Sequence, residues 1–212
     1  MVVALTFDEI PEGRDARSRL SALTWDDLLE NVSFRNETVQ GLDLQDIGVR
    51  TAVFDRCVFL DTSFLRCRFD RVYFKNCDLS NIHFTDSSFH QVVCEDCKFM
   101  GTVFSAGSFW KMSWTGCNGQ YMSVSTTKLR EVGFEKCHLE YAEFAGCRLD
   151  FVSFSECLLS QAEFVRTPLK GMDLTSCSLG GLRIAVSDLR GAVVTSSQLL
   201  ELSHLLGVIV KD

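Results

Sequence analysis

The sequence predicts a single all-β solenoid whose coils have four sides, and two periods along the chain carry this prediction. Apolar residues recur at every fifth position over most of the 212 residues, and cysteines recur at every twentieth. A period of five matches neither an α-helix nor a flat β-strand, so the chain must turn at regular intervals. The length fits one domain or one elongated array of repeats.

The five-residue repeat begins at Phe34 and continues without a slip to Leu199. Of its thirty-four central positions, only Gly119 is not apolar, and fifteen of the seventeen phenylalanines lie at these positions. A second position, two residues before each centre, carries small or apolar side chains and is predicted to point inward as well. The central aromatic residues are therefore predicted to fill the core, and they include Phe54, Phe64, Phe74, Phe84, Phe104, Phe144 and Phe164.

The twenty-residue period predicts the size of one coil, because four pentapeptides separate successive members of a cysteine ladder. The ladder consists of Cys57, Cys77, Cys97, Cys117, Cys137, Cys157 and Cys177. Coils that hydrogen-bond like adjacent strands rise about 4.7–4.9 Å each, which predicts a rod of about 41 Å. Corners are expected two residues after a centre, where glycine supplies freedom in φ. Seven glycines lie there: Gly41, Gly101, Gly116, Gly146, Gly171, Gly181 and Gly191.

Both ends of such a solenoid need caps, because an open end exposes unpaired backbone groups. We expect an N-terminal cap over residues 1–31, the solenoid over 32–200 and a C-terminal capping or dimerisation segment over 201–212. Residues 24–27 resemble the start of a short N-capped helix. At the other end, apolar residues at helical spacing precede a strand-like run. They predict a symmetric dimer contact, with a simple lid as the alternative. The candidate dimer residues are Leu202, Leu205, Leu206, Val208, Ile209 and Val210.

Composition and motifs argue against several classes of protein. A net charge of −7 disfavours nonspecific binding of nucleic acid. No apolar run is long enough for a membrane span or a signal peptide, so a cytoplasmic protein with reduced thiols is expected. Cys94 and Cys97 form a C-x-x-C that suggests a redox pair or half a zinc site, but both occupy inward positions and favour core packing. We expect no catalysis, metal or cofactor, since the histidines fall on different sides and no phosphate-binding loop is present.

Individual repeats resemble a known family. Residues 67–71, 77–81 and 142–146 are similar to the A(D/N)LxX unit of pentapeptide-repeat proteins, a resemblance that implies a right-handed quadrilateral β-helix. Residues 174–180, 188–191 and 205–210 resemble the C-terminal end of the quinolone-resistance members of that family. This resemblance implies a dimeric rod that imitates duplex DNA, binds DNA gyrase or topoisomerase IV, and protects the enzyme from quinolones or a topoisomerase toxin. It implies no direct contact with nucleic acid or membrane.

Sorting outward charges by side separates one basic side from three acidic ones. The side around Leu129 carries nine basic residues against four acidic ones between residues 48 and 191, and the other three sides are net negative. Acidic sides are the expected contacts of a DNA mimic. On the side around Phe54 the candidate partner-binding residues are Asp55, Glu95, Asp96, Glu135 and Glu156, and on the side around Phe64 they are Asp43, Asp46, Asp86, Glu143 and Glu163.

A different hypothesis stays open: a non-catalytic scaffolding solenoid that binds some other protein. The stretch from 108 to 128 departs most from the repeat and predicts either a packing irregularity or a contact site. Trp110 and Tyr121 point outward there and are candidate anchors, since aromatic residues concentrate binding energy at interfaces.

Overall fold

The computed structural model describes residues 10–208, which form a parallel β-solenoid, and confirms the predicted fold. Within this range the strands are β1 (Leu28–Arg35), β2 (Thr38–Gln45), β3 (Gly48–Asp55), β4 (Val58–Leu65), β5 (Arg68–Lys75), β6 (His83–Thr85), β7 (Ser88–His90), β8 (Val93–Glu95), β9 (Val103–Ser105), β10 (Ser108–Thr115), β11 (Ser123–Ser125), β12 (Lys128–Glu135), β13 (Glu143–Ala145), β14 (Arg148–Ser155), β15 (Glu163–Val165) and β16 (Arg183–Ile184). The helices are α1 (Ala16–Ser21), α2 (Val186–Leu189), α3 (Ser196–Glu201) and a 3₁₀ helix (Leu202–Leu206).

Strand pairing follows the twenty-residue period. Every paired strand is parallel to its neighbour, and paired residues are twenty positions apart, as Phe34 is from Phe54 and Phe64 from Phe84. One sheet runs β1-β3-β5-β7-β10-β12-β14, with β8 also pairing β5 and β10, and the second runs β2-β4-β6-β9-β11-β13-β15-β16. The second sheet has one strand from each of eight coils. At about 4.8 Å per coil, the described rod therefore measures about 38 Å.

The four sides are named here after core residues. The Leu129 side and the Phe54 side form the first sheet, and the Phe64 side forms most of the second. The Phe59 side is a regular strand only in β2 and β4. From Asp78 onward it consists of isolated parallel bridges and tight turns, in which the Thr102 amide donates to the Phe99 carbonyl. Gly101, with φ 65°, occupies the third position of that turn, as a type II turn requires.

The core consists of aromatic stacks, as predicted. Phe84 lies parallel to Phe64 and Phe104 at centroid distances of 4.8 and 4.9 Å, and all three are at most 3% exposed. Burying each ring contributes about 1.5–3 kcal/mol to folding. Stacking is interrupted on the Leu129 side, where Phe89 stacks on Phe69 but Phe109 is perpendicular to Phe89. The Phe109 ring is also perpendicular to Phe104 and is tilted by 40° from the buried Trp114.

The stretch around Gly119 is a packing irregularity. A side chain at Gly119 would collide with Leu139, since a Cβ atom there would lie 2.9 Å from Leu139 Cδ2. The Met122 thioether lies next to the same position and fills the space a larger central residue would take. On the adjacent side, Trp114 replaces the usual phenylalanine and packs 4.3 Å from Phe99. The large Trp114 side chain thus compensates in core volume for the missing side chain of Gly119 in the same coil.

Corner residues adopt left-handed backbone conformations at regular intervals. All seven predicted corner glycines have positive φ, which confirms the expectation. The corners are not reserved for glycine, however, because twenty-six non-glycine residues between positions 10 and 208 also have positive φ. Several are bulky or charged, and each such residue opposes the steric preference of L-amino acids by about 1–2 kcal/mol. The coil geometry enforces these corners through hydrogen bonds on both flanks.

The N-terminal end is capped by α1, not by a helix at residues 24–27. Asp15 caps α1 by accepting a hydrogen bond from the Ser18 amide, and Leu20 is buried against the first coil. At residues 24–27 the Asp27 carboxylate accepts hydrogen bonds from the amide and hydroxyl of Thr24. These close a turn from which β1 departs at Leu28. The expected helix is therefore wrong: the same residue types that start a helix also close a turn.

The C-terminal end carries the expected helix, but the repeat ends earlier than predicted. The parallel bridge of Val193 to Asp173 still belongs to the coil, whereas Leu199 lies in α3 and is 59% exposed. Leu199 therefore matches the five-residue spacing without belonging to the core. Gln198 is buried and donates from Nε2 to the carbonyls of Leu174 and Cys177, at 2.8 and 2.7 Å. Gln198 thus supplies hydrogen-bond donors to two backbone carbonyls at the C-terminal end of the solenoid. None of the helices described is long and apolar enough to cross a membrane.

Candidate protein-binding surface

A partner that binds a side of the rod would contact side chains and not backbone groups. Backbone amides and carbonyls pair with the coils above and below, as between β3 and β5, so a side has no open strand edge. Outward side chains of neighbouring coils are about 4.8 Å apart in columns of residues twenty positions apart. The chemistry of each side is therefore determined by which charged and aromatic residues share a column.

Half of the ten predicted acidic contacts are neutralised by basic neighbours. Asp46 accepts two hydrogen bonds from Arg66, at 2.7 and 2.8 Å. Asp55 is only 8% exposed and lies 3.1 Å from both Arg35 and Arg56. Although burial raises the pKa of Asp55, the hydrogen bond from Arg56 and the two guanidinium charges hold that pKa below 3.8. Such a carboxylate stabilises the fold and is not available to a partner.

Three further predicted contacts are also ion-paired. Glu95 lies 3.5 Å from the Lys75 ammonium and also accepts from the Tyr73 hydroxyl. Glu135 lies 3.3 Å from Lys136, and Glu163 lies 4.0 Å from Arg183. Most of these pairs join residues twenty positions apart. The twenty-residue period was thus the signal that would have predicted them, whereas a count of charges by side does not show them.

The other five predicted carboxylates have no ion pair within 4 Å among the residues described: Asp43, Asp86, Asp96, Glu143 and Glu156. Asp43 accepts a hydrogen bond of 2.6 Å from the Ser63 hydroxyl, and Glu143 accepts one of 3.4 Å from Ser123. All except the half-buried Glu143 are exposed. They form a sparse set of available negative charges on the Phe54 and Phe64 sides, rather than a continuous DNA-like array.

Two exposed tyrosines stand among these charges. Tyr121 and Tyr141 stack at a centroid distance of 5.0 Å and an angle of 9°, at the corner between the Phe59 and Phe64 sides. They are 59% and 49% exposed and both have positive φ. Tyr121 was predicted as a candidate anchor, and Tyr141 was missed although it lies one coil further along the same column. The pair presents a rigid aromatic surface next to Glu143.

The Leu129 side, called the basic side below, carries a net positive charge. In its N-terminal part Arg50 and Arg71 lie near Asp70, and Arg68 lies 2.7 Å from Asp26. In its C-terminal part Lys111, Lys128, Lys170 and Arg190 have no ion pair within 4 Å among the residues described. Trp110 is 43% exposed and stacks on His90 at 4.4 Å. This predicted anchor thus lies on the basic side, away from the acidic candidates.

The predicted dimerisation residues divide between a lid and an exposed apolar surface. Leu202 is 3% exposed and packs against the last coil, so it belongs to the lid. Leu205 is partly buried, whereas Leu206 and Val208 are 62% and 52% exposed. Ile209 and Val210 lie outside the described residues. Residues of α2, α3 and the 3₁₀ helix surround an open apolar hollow of about 450 Å³: Val186, Leu189, Leu199, Leu200, Leu202, Leu205 and Leu206.

The cysteine side chains pack in the core, and two of the histidine side chains contact neighbouring polar groups of the fold. All ten cysteines are buried, and none forms a disulfide bond. Cys94 and Cys97 are each 1% exposed, which confirms their inward orientation. His90 contacts Asp70 at 2.8 Å, and the two ring nitrogens of His204 face the carbonyls of Glu201 and Leu182. Over residues 10–208, no group of three or more potential ligands is arranged to hold a metal ion.

Comparisons with solved structures find similar chains at low identity. QnrB1, a plasmid-mediated fluoroquinolone resistance protein, is 21% identical in one trypsin-treated variant, with a TM-score of 0.48 over 85% of this chain and 100% of that chain. Full-length QnrB1 is 22% identical, with a TM-score of 0.41 over 83% of this chain and 100% of that one. HetL from the cyanobacterium Nostoc sp. strain PCC 7120, a pentapeptide repeat protein involved in heterocyst differentiation regulation, is 14% identical, with a TM-score of 0.35 over 84% and 94%.

No curated protein matches the sequence. Because these identities and TM-scores are low, family membership is decided by the match to a family profile. The profile described as a pentapeptide repeat region matches residues 67–144 and 127–203, which together span well over half of the chain. The twenty-residue coils of the structure agree with that match up to the C-terminal helices. The chain therefore belongs to the pentapeptide repeat family.

Proposed function

We propose that this chain is a non-catalytic, protein-binding rod whose partner is DNA gyrase or topoisomerase IV, and that it protects the enzyme from quinolones or a topoisomerase toxin. The observation that carries the proposal is the set of five outward carboxylates without ion pairs. The other five predicted contacts are ion-paired with basic neighbours, whereas these five have no such partner among the residues described and are available to a cationic surface. A topoisomerase channel that binds the phosphates of DNA is such a surface.

Imitation of DNA in this proposal is local. Duplex DNA carries about one negative charge per 1.7 Å of axis, which is roughly twenty-two charges over about 38 Å. Five available carboxylates do not reproduce that density. Specificity is therefore expected to come from the shape of a smooth rod and from the Tyr121 and Tyr141 pair. The charges supply attraction and orientation during encounter.

The proposal includes a homodimer joined through the C-terminal apolar surface. Leu199, Leu200 and Leu206 are each about 60% exposed and lie together around one hollow. Contiguous apolar patches of this kind mark interaction sites, and a two-fold contact covers the same patch on both copies. The resemblance of residues 205–210 to the corresponding segment of quinolone-resistance proteins supports this assignment. A dimer would place two rods end to end.

Gyrase supercoiling in the presence and absence of a quinolone tests the proposal. The purified protein is expected to inhibit supercoiling or to restore it in the presence of drug. The triple variant Asp86→Asn, Asp96→Asn, Glu156→Gln removes three available charges at exposed corners, and should weaken the effect about tenfold or more. The matched control is Glu131→Gln, Asp150→Asn, Asp188→Asn, which changes the net charge equally on the basic side.

The control variant should retain the wild-type effect. If the wild-type protein has no effect on supercoiling or drug sensitivity at concentrations of about 50 µM, gyrase is not its partner. Equal loss of activity in the triple variant and its control would show that net charge, and not the acidic sides, is responsible. Absence of any effect on gyrase would instead favour the scaffolding solenoid that binds another protein.

A further inference from the structure

The C-terminal part of the basic side contains an exposed aromatic residue, Phe151, that the fold does not explain. Phe151 is 85% exposed and is one of two phenylalanines outside the five-residue repeat. It occupies a left-handed corner with φ 54°, where a bulky side chain is unfavourable. The corners before it in the same column are polar: Thr51, Arg71, Gln91, Lys111 and Glu131. A single apolar corner in a polar column contributes neither to the core nor to backbone stability.

The cations around Phe151 have an unfavourable arrangement, because like charges face each other on paired strands. Lys128 and Arg148 are directly opposite each other in the β12–β14 pairing, and like charges in this arrangement repel. Asp150 accepts a hydrogen bond of 2.9 Å from Arg148 and relieves part of that repulsion. Lys128 has no ion pair within 4 Å among the described residues. An anion placed between the two strands would relieve what remains.

Trp110 completes the surface two coils away. It pairs with Arg130 in the β10–β12 register, and Arg130 pairs with Asp150 in the next, so Trp110 and Phe151 are about 10 Å apart along the rod axis. The Lys111 ammonium lies 5.2 Å from the Trp110 ring, and Lys111 has no ion pair within 4 Å in the described range. The aromatic-basic patch is defined here as Trp110, Lys111, Lys128, Arg130, Arg148 and Phe151.

We propose that the aromatic-basic patch binds an acidic protein segment that carries an apolar side chain, separately from the topoisomerase surface of the proposed function. Arg130 and Arg148 are paired with Glu131 and Asp150, so the available charges that attract a negatively charged partner are those of Lys111 and Lys128, and Phe151 and Trp110 offer it two apolar contacts. Aromatic residues and arginine are the side chains most enriched at the energetic centres of protein interfaces. The patch extends over three coils, about 10–15 Å, which matches an extended segment of about four or five residues.

The same observations favour a short acidic segment over a nucleic acid. The indole of Trp110 already stacks on His90 and is close to the Lys111 ammonium, so it does not present two open ring faces to bases. The chain as a whole carries a net charge of −7, and three of its four sides repel a long polyanion. A short acidic segment fits within the basic side and avoids that repulsion.

Fluorescence anisotropy with a labelled peptide tests the proposal. The probe is a peptide of about ten residues, composed of aspartate and glutamate with one central phenylalanine, measured at about 50 mM salt, where screening is weak. We expect saturable binding to the full chain. A peptide with serine in place of the phenylalanine, a lysine peptide with the same phenylalanine, and a single-stranded oligothymidylate of equal length serve as comparison probes.

Two variants of the protein separate recognition from folding. Phe151→Asn places asparagine at a left-handed corner that it tolerates, so the thermal midpoint should stay unchanged or rise, while peptide affinity falls about tenfold. The charge variant Lys111→Gln, Lys128→Gln should lower affinity at least as much and reduce its salt dependence. The controls are Tyr121→Asn, a corner aromatic on another side, and Lys98→Gln on the Phe59 side.

The proposal is overturned if the acidic peptide does not bind at about 1 mM, or if Phe151→Asn and its control Tyr121→Asn bind it equally well. Tighter binding of the oligothymidylate than of the peptide would also overturn it, because the ligand would then be a nucleic acid. Gyrase inhibition should be unchanged in Phe151→Asn. Loss of peptide binding and loss of gyrase inhibition are therefore separate outcomes, and each proposal can fail alone.

Discussion

Buried thiols take the place of hydroxyls along the inside of the rod. Cys57, Cys77 and Cys157 donate weak hydrogen bonds to main-chain carbonyls of the preceding coil at 3.1–3.5 Å, as Thr102 does with its hydroxyl at 2.6 Å. Burial raises the pKa of the thiols of Cys67, Cys94 and Cys147 above the ordinary value of 9.0. The folded protein therefore keeps these thiols protonated and unreactive at pH values where exposed thiols ionise.

This burial predicts a loss of stability at alkaline pH. Because the folded pKa of these thiols lies above the unfolded value, the folded state binds more protons once the pH exceeds about 9. The free energy of unfolding should be flat near neutral pH and then fall by up to about 1.4 kcal/mol per pH unit for each such thiol. Urea unfolding at a series of pH values measures this fall in the free energy of unfolding.

The Cys94→Val variant is the control for the alkaline effect. It removes one thiol from the core without adding a charge, so its stability should fall less steeply above about pH 9 than that of the wild type. Identical slopes for the two proteins would show that the Cys94 thiol does not contribute. A wild-type stability that stays constant to about pH 10 would contradict the prediction for all three thiols.

The two end caps differ in how the sequence encodes them. Residues 24–27 combine a threonine and an aspartate three apart, a pattern that suits both a helix start and a turn, and only packing against β3 decides for the turn. Leu199 matches the five-residue spacing by position, yet the capping box of Thr195 and Gln198 starts α3 before it. At the N-terminal end the sequence pattern suits two local structures, and at the C-terminal end a capping box overrides the periodicity, which is why these two features were mispredicted.

Gln198 is expected to be the most sensitive polar residue of the C-terminal cap. Gln198→Ala removes the side-chain hydrogen bonds to the carbonyls of Leu174 and Cys177, although the Leu174 carbonyl still accepts from the Cys177 amide, and it breaks the capping box of α3. The loss should be about 2–4 kcal/mol in the free energy of unfolding, measured in urea. Glu201→Ala in the same helix is the control and should change stability by about 0.5 kcal/mol or less. Equal effects of the two substitutions would contradict this role.

At the scale of the whole molecule, periodicity predicted the coil and charge counting did not predict the surface. The five- and twenty-residue periods depend on burial, which every coil repeats, so the core residues and register followed directly. Ion pairs such as Asp46 with Arg66 depend on which charges meet across coils. The exposure of Tyr141 and Phe151 depends on corner geometry that composition does not show. The sequence therefore predicted the candidate surface only in part.

The oligomeric state is expected to depend on the exposed leucines at the C-terminal end. Leu206→Asp places a charge in the apolar hollow and should convert a dimer into monomers, as measured by sedimentation equilibrium. Leu60→Asp is a matched control, because Leu60 is also exposed, at 43%, but lies on the Phe59 side near the other end. A wild-type protein that sediments as a monomer, or a Leu206→Asp variant that remains a dimer, would rule out the tail contact.

Competition between this protein and duplex DNA for gyrase tests the central claim most directly. A labelled linear duplex bound to gyrase is titrated with the unlabelled protein, and the anisotropy of the DNA is followed. If the rod occupies the DNA-binding surface through its acidic sides, the DNA is displaced completely, and the Asp86→Asn, Asp96→Asn, Glu156→Gln variant displaces it only at about tenfold higher concentration. A ternary complex of gyrase, DNA and this protein, or no displacement at about 50 µM, would contradict the claim.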